Sequence, residues 1–272
     1  MSMEGLRNIL LLVAYDGSAF SGWQRLPGKR TIQGILEEVL SQIAKMPVNV
    51  IGSGRTDAGV HAQAQAANVR LPATLALDEL GSLVAQLQPT DLAIVSAREV
   101  HPAFHARYRA VEKTYVYRLS FRDDIGCSHR LPIAMPNTSL LSMMADACSV
   151  FEGRHRFKAF TNAKVDTEDF VRTVFQCYAQ PHDGYVELVF RADGFMYNQV
   201  RLMACAVSAL AASRGPRLDI RRLLEQGERP ASLGALPACG LRLQSVRYRD
   251  EDYRGDPVPL CSTLLPFRHN HA

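Results

Sequence analysis

Two runs rich in β-branched and aromatic residues, Val171 to Ala179 and Tyr185 to Ala192, are separated by little more than the turn Pro181-His182-Asp183-Gly184. So short a link folds the second run back beside the first as an antiparallel hairpin, because parallel neighbours need a crossover of roughly a dozen residues or more. Asn8 to Ala14, Val48 to Ile51, Gln65 to Arg70, Ala93 to Val100 and Leu241 to Tyr248 also read as strands. In Lys113 to Phe121 the residues Tyr115, Tyr117 and Leu119 share one face. Helical periodicity lies between the strands. Ile32, Ile35, Leu36, Val39, Leu40 and Ile43 form a stripe behind a Thr31 N-cap. Asp78 to Leu87, Ser139 to Phe151, Met196 to Arg214 and Leu218 to Gln226 read as further helices, the longest closed by Gly215-Pro216. Because several successive strands are joined by short turns, the pattern predicts an α+β fold with a mainly antiparallel sheet, not a doubly wound parallel one.

The chain of 272 residues is 47% hydrophobic and 21% charged, enough for one large core or two smaller ones. A formal net charge of +4 permits an RNA partner without demanding one. The six cysteines, at 127, 148, 177, 205, 239 and 261, include no CxxC pair and no Cys/His set with zinc-ligand spacing. They read as reduced thiols of a cytoplasmic protein, and no metal is expected. His269 and His271 sit on a terminal tail, a poor cage for an ion. The longest early apolar run, Ile9 to Ala14, is too short for a membrane span or a signal segment, so no membrane association is expected.

The stretch Gly52-Ser53-Gly54-Arg55-Thr56-Asp57-Ala58-Gly59-Val60-His61-Ala62 sets one carboxylate, Asp57, two residues from one guanidinium, Arg55. Glycines flank the pair and allow tight turns and close backbone approach. With a short strand before it, the stretch predicts a carboxylate held on a turn at a strand end, a place where a rigid scaffold can carry chemistry. Asp-x-Gly segments are also ordinary turns, and Thr-Asp pairs cap helices, so the pattern by itself leaves a structural turn open. His61 reads as a structural histidine and is given no role.

Gly54-Arg55-Thr56-Asp57-Ala58-Gly59-Val60-His61 resembles the signature of the TruA family of tRNA pseudouridine synthases. The likeness continues in order along the chain. It takes in Tyr15-Asp16-Gly17 with Phe20, Gly22-Trp23-Gln24, Thr31-Ile32-Gln33, Phe104-His105-Ala106-Arg107 and Lys113-Thr114-Tyr115-Val116-Tyr117. It goes on through His155, Phe157 and Phe160 with Arg172-Thr173-Val174, then Gly194-Phe195, Val200-Arg201 and Gly240-Leu241 with Leu243. The resemblance implies a pseudouridine synthase fold: two related α/β halves with a mainly antiparallel central sheet and a catalytic cleft between them. The first half, residues 1–108, would carry the GRTDAGVHA loop. The second, 109–272, would carry the KTY strand and the VR helix.

By the same resemblance, the protein isomerises uridine to pseudouridine in the anticodon stem-loop of tRNA, at positions 38–40. It would act as a homodimer and need no cofactor. Rejoining the base through carbon changes no redox state and adds no group, which agrees with the lack of a dinucleotide glycine pattern or Walker loop. Asp57 would be the nucleophile and Arg201 its cationic partner. Arg55 would help to extrude the target nucleotide, since a stacked base must leave its helix before chemistry can reach it. Tyr115 would stack on the flipped uracil, although without the family its pattern fits better a cross-strand aromatic contact that it shares with Tyr117. Phe104, His105, Ala106, Arg107 and Tyr108, with Arg30, would touch RNA, and the polar segment Thr161 to Asp169 is either an RNA-facing or a solvated loop. The chain departs from the family at Gln199, at Ala206 to Ala212, at Arg156 within His155-Arg156-Phe157, and at Cys239. These changes leave open a different RNA target, such as ribosomal RNA. A third possibility is a chaperone that binds RNA without modifying it.

Overall fold

The computed structural model describes residues 5–87, 91–122, 138–163, 169–211 and 219–253, with backbone alone at 129–130 and 211. The chain divides into two compact units. One runs to Val111 and resumes at Leu243, and the other spans Glu112–Arg242.

The first unit begins with β1 (Leu6–Tyr15), α1 (Ile32–Ala44), β2 (Val50–Gly52), β3 (His61–Pro72), α2 (Leu80–Leu87) and β4 (Leu92–Glu99). The long apolar run of β1 is buried along most of its length because strands lie on both sides of it. It pairs antiparallel with β3, Leu10 opposite Asn68 and Tyr15 opposite Ala62, and with β4, Leu12 opposite Ser96. Helix α1 starts where expected: Thr31 is extended and its side chain accepts from Gly34 N. The predicted stripe supplies its buried face at Ile32, Leu36, Val39 and Leu40. Glu37 is buried with them; its Oε2 forms an ion pair with Arg25 at 3.1 Å, and its Oε1 accepts from Gln33 Nε2 at 3.1 Å and Val50 N at 3.0 Å. That contact ties α1 to β2, the strand that leads into the Asp57 loop.

The second unit holds β5 (Glu112–Ser120), β6 (His129–Arg130), α3 (Thr138–Ser149), β7 (Gly153–Arg156), β8 (Val171–His182), β9 (Tyr185–Ala192), α4 (Gln199–Ala211) and α5 (Ile220–Gln226). Its sheet runs β5-β9-β8-β7, antiparallel throughout, with β6 parallel to β5. The β8–β9 hairpin is tighter than the sequence suggests. Pro181 and His182 stay in the ladder opposite Val186 and Tyr185, which leaves only Asp183 and Gly184 to turn, with Gly184 at φ +80°. Helix α4 begins at Gln199, not Met196. Asn198 is left-handed at φ +61°, and the Gln199 side chain reaches back to accept from Met196 N at 2.9 Å. Residues 212–214 of that expected helix, and Gly215-Pro216, lie outside the described residues, as do most of the expected 161–169 loop, Cys127, Cys261 and both tail histidines.

The chain then enters β10 (Leu241–Arg247), which borders β3 in the first unit's sheet. The observed architecture is mixed α+β with mainly antiparallel pairing. The two compact units meet along the chain at 111/112 and at 242/243, and the residues from Leu243 onward group with the first unit. Among the described residues, no helix is long and apolar enough to cross a membrane.

Candidate active site

The Asp57 loop connects two antiparallel strands, β2 and β3, and is held at almost every step. Gly52 pairs with Ala67, and Ser53 N donates to Ala66 O at 2.8 Å. The buried Ser53 hydroxyl donates to Gln65 Oε1 at 2.7 Å, while Gln65 Nε2 donates to Gly54 O at 3.1 Å. Gln65 therefore closes the neck of the loop from across the pair. The Thr56 hydroxyl, also buried, bonds the Tyr15 hydroxyl at 2.9 Å, and Thr56 O accepts from Trp23 N at 3.0 Å. Val60 N returns to Asp57 O at 3.2 Å, with Gly59 between them at φ +81°. Asp57 is half-buried and Arg55 is exposed. The geometry is that of a carboxylate on a braced turn with a solvent-facing guanidinium two residues away.

A second segment, Tyr15 to Trp23, lies against this loop, and two of its glycines make the approach possible. A Cβ on Gly17 would stand 2.1 Å from Val60 O, and one on Gly22, at φ +93°, would meet Thr56 O at 2.8 Å. Asp16 caps a short 3-10 turn over Gly17–Ala19 by accepting from Ser18 N at 2.9 Å, and it sits 3.2 Å from Nδ1 of His61. His61 holds the Asp16 carboxyl well below the usual carboxylate range, against an opposing effect of partial burial. Burial pushes the Tyr15 phenol well above its ordinary value. The sequence marked Tyr15-Asp16-Gly17 only by its family likeness, and nothing local in it announces the contact with residues 56–61.

The remaining expected site residues fall into two groups. In the first unit, Phe104 and Ala106 are buried, whereas Arg107 and Tyr108 are exposed, Tyr108 at 77%. Phe104 packs edge-on against Tyr248 at 4.8 Å, and Ala106 is fixed by Asn68 Oδ1 at 2.8 Å and the Tyr248 hydroxyl at 2.8 Å. The outward face of this segment is therefore His105, Arg107 and Tyr108, with the His105 and Tyr108 rings 4.3 Å apart. Behind it, Asn68 donates to Asn8, and Asn8 donates to Phe104 O and His101 O. This buried amide pair is visible in sequence only as two asparagines inside apolar strands. Arg30 is engaged in two bonds to Asp91, at 2.8 and 2.9 Å, and lies over the Phe20 ring.

In the second unit, Tyr115 is 9% exposed and meets Phe195 edge-to-face at 5.4 Å. Arg201, near the start of α4, donates from Nε to Leu236 O at 2.5 Å and from Nη1 to Asn198 Oδ1 at 2.9 Å. The next carbonyl, Pro237 O, accepts from the Tyr117 hydroxyl at 2.8 Å, so Arg201 and Tyr117 grip one stretch of backbone. Tyr117 is fully buried and is a structural neighbour of the arginine. Among the described residues, no group of three or more His, Cys, Asp or Glu is arranged to hold a metal ion.

A family model described as tRNA pseudouridine synthase matches residues 11–109 and 147–249. The chain belongs to the tRNA pseudouridine synthase family. It is 35% identical over 246 residues to tRNA pseudouridine synthase A of Caldicellulosiruptor saccharolyticus, covering 89% of this chain and 100% of that one. It is 36% identical over 264 residues to the protein of the same name from Solidesulfovibrio magneticus, covering 93% and 95%. Among solved structures it is similar to a chain in a Cbf5-Nop10-Gar1 complex, with TM-score 0.37 and 14% identity, over 86% of this chain and 57% of that one.

Proposed function

We propose that this chain is a tRNA pseudouridine synthase that isomerises uridine in the anticodon stem-loop, with Asp57 as the nucleophile. The observation that carries the reading is the Asp57 loop. Its backbone is bonded from both flanking strands and from the 15–23 segment, while the carboxylate itself stays half-exposed. A nucleophile has use for such bracing, because a reacting group must stand in one place when the substrate arrives.

The reaction breaks the bond between the base nitrogen and the ribose, turns the base, and rejoins it through carbon. A proton leaves that carbon and a proton joins the freed nitrogen, so atoms and electrons balance without a cofactor. Arg55, exposed on the same loop, takes the role of helping the nucleotide leave its stack. By the family resemblance, Arg201 takes the role of a catalytic cation, held near the start of α4 by its bonds to Leu236 O and Asn198 Oδ1. Tyr115 takes the base, its ring direction set by Phe195. In the 104–108 segment, Arg107, Tyr108 and His105 are the RNA contacts, while Phe104 and Ala106 hold them in position. We assign the protein to the cytoplasm and expect it to work as a homodimer, which sedimentation at working concentration would test.

The test is pseudouridine mapping on total RNA from a host lacking this activity, treated with wild type or with Asp57→Ala. New pseudouridines just 3′ of the anticodon, absent with the variant, support the target and the nucleophile together. Sites in ribosomal RNA keep the reaction and replace the substrate. Tight RNA binding with no pseudouridine on any RNA overturns catalysis in favour of a chaperone.

A further inference from the structure

Tyr15, the last residue of β1, and the next two residues, Asp16 and Gly17, touch the Asp57 loop on either side of its carboxylate. Tyr15 bonds Thr56, the residue before Asp57, through paired hydroxyls at 2.9 Å. Asp16 reaches His61, four residues after Asp57, at 3.2 Å. Gly17 donates its backbone N–H to the same Nδ1 of His61 at 3.2 Å, and its Cα faces Val60 O. The loop is thus gripped before and after its carboxylate by one stretch of three residues where β1 gives way to a 3-10 turn. Tyr15 and His61 are both buried, so water does not compete for these contacts.

We propose that Asp16 and His61 are positioning residues for the reaction, fixing the far end of the Asp57 loop so that its carboxylate stands where the nucleotide is attacked. This rests on the reading of Asp57 as the nucleophile. A single imidazole nitrogen cannot accept and donate at once. Without a proton, Nδ1 accepts from Gly17 N–H; with one, it donates to the Asp16 carboxylate. Either way the ring remains bonded to the 16–17 stretch, so the brace survives a change of tautomer. Asp16 is itself locked, because the same Oδ1 accepts from Ser18 N at 2.9 Å. A carboxylate that misses its position by about 1 Å can lose on the order of a hundredfold in rate. A buried histidine could instead do no more than fill space, and the two roles make opposite demands on its replacement.

The experiment compares His61→Leu, which keeps most of the volume but no hydrogen-bonding atom, with His61→Asn, which keeps a polar atom near the Nδ1 position but leaves space empty. Single-turnover pseudouridine formation, tRNA affinity and thermal melting are measured for each, together with Asp16→Asn and Asp57→Ala. If His61 positions the loop, His61→Leu slows the single-turnover step about 10- to 100-fold with tRNA affinity within about twofold of wild type. His61→Asn then reacts faster than His61→Leu although it melts lower. Asp16→Asn, at the more exposed member of the pair, slows the same step without disturbing the core, and so tests the proposal even if a buried substitution fails to fold. The reverse order, with His61→Leu near wild type and His61→Asn slow, overturns the proposal in favour of packing. Wild-type rates in every brace variant beside an inactive Asp57→Ala also overturn it while leaving the nucleophile intact. Activity in Asp57→Ala would instead remove the nucleophile reading and this inference with it.

Discussion

Gly52 lies flat against the indole of Trp23, so close that a methyl group added at Gly52 would meet the ring at 2.5 to 2.7 Å. Trp23 is buried, and its backbone N–H is bonded to Thr56 O, beside Asp57. Displacing the ring therefore pulls on the Asp57 loop. Gly52→Ala should destabilise the protein by about 1–3 kcal/mol, the usual effect of overpacking. The chain has one tryptophan, so the change is readable directly. Its emission should shift to the red, and the pseudouridine rate should fall with it.

Asn68→Ala should loosen the 101–108 segment. The substitution removes the acceptor for Ala106 N–H and one partner of Asn8 in a buried site. Leaving such groups unsatisfied costs about 1–3 kcal/mol. Hydrogen exchange at the Ala106 amide should accelerate well beyond that of the β1 and β3 amides, and equal acceleration everywhere would count against a local anchor.

Phe104 and Tyr108 are four residues apart and should fail in different assays. Phe104→Ala empties a core position against Tyr248 and should cost about 3–5 kcal/mol of stability. Tyr108→Ala, at a ring 77% exposed, should change stability by no more than about 0.5 kcal/mol. If its ring stacks on an RNA base, Tyr108→Ala should weaken tRNA binding by about 1–3 kcal/mol. Denaturant titration and filter binding on the same two variants separate the outcomes.

The pH dependence of stability should have an alkaline edge. Tyr15, Tyr117 and Tyr248 all have phenols raised above the ordinary value, chiefly because burial disfavours the anion. A raised folded-state value means the neutral phenol is preferred in the native state. Its contribution is complete below the unfolded value near pH ~10 and is lost as the pH rises beyond it. Tyr15→Phe should flatten that alkaline loss, while lowering stability at neutral pH through the missing Thr56 bond. Asp16 has the opposite sign: its depressed carboxyl adds stability above about pH 4 that disappears on acidification.

Features written in local sequence were readable, and features made by distant partners were not. The α1 start needed only Thr31 and the stripe behind it, and the β8–β9 hairpin only two apolar runs and a turn. The family likeness of the 54–61 stretch was legible because its residues are contiguous. β7 was missed because Gly153-Arg154-His155-Arg156 has no apolar alternation, and it is a strand only through its pairing with β8. The Asn8–Asn68 pair joins positions 60 residues apart, and the Asp16–His61 contact is equally invisible along the chain. The RNA-facing reading of residues 104–108 was too uniform, since strand-like alternation within a loop turns Phe104 and Ala106 inward.

The return of β10 to the first unit has a consequence for how the protein is made. The strand bordering β3 is translated only after all of Glu112–Arg242. At ordinary elongation rates, that interval is on the order of ten seconds. Throughout it, the nascent chain carries the Asp57 loop on a sheet whose β3 has β1 and, over residues 67–69, β2 beside it but still lacks β10, and such a partly open edge is a template for pairing with other chains. The protein's vulnerable moment is therefore on the ribosome, with the Asp57 loop already synthesised and β10 still to come.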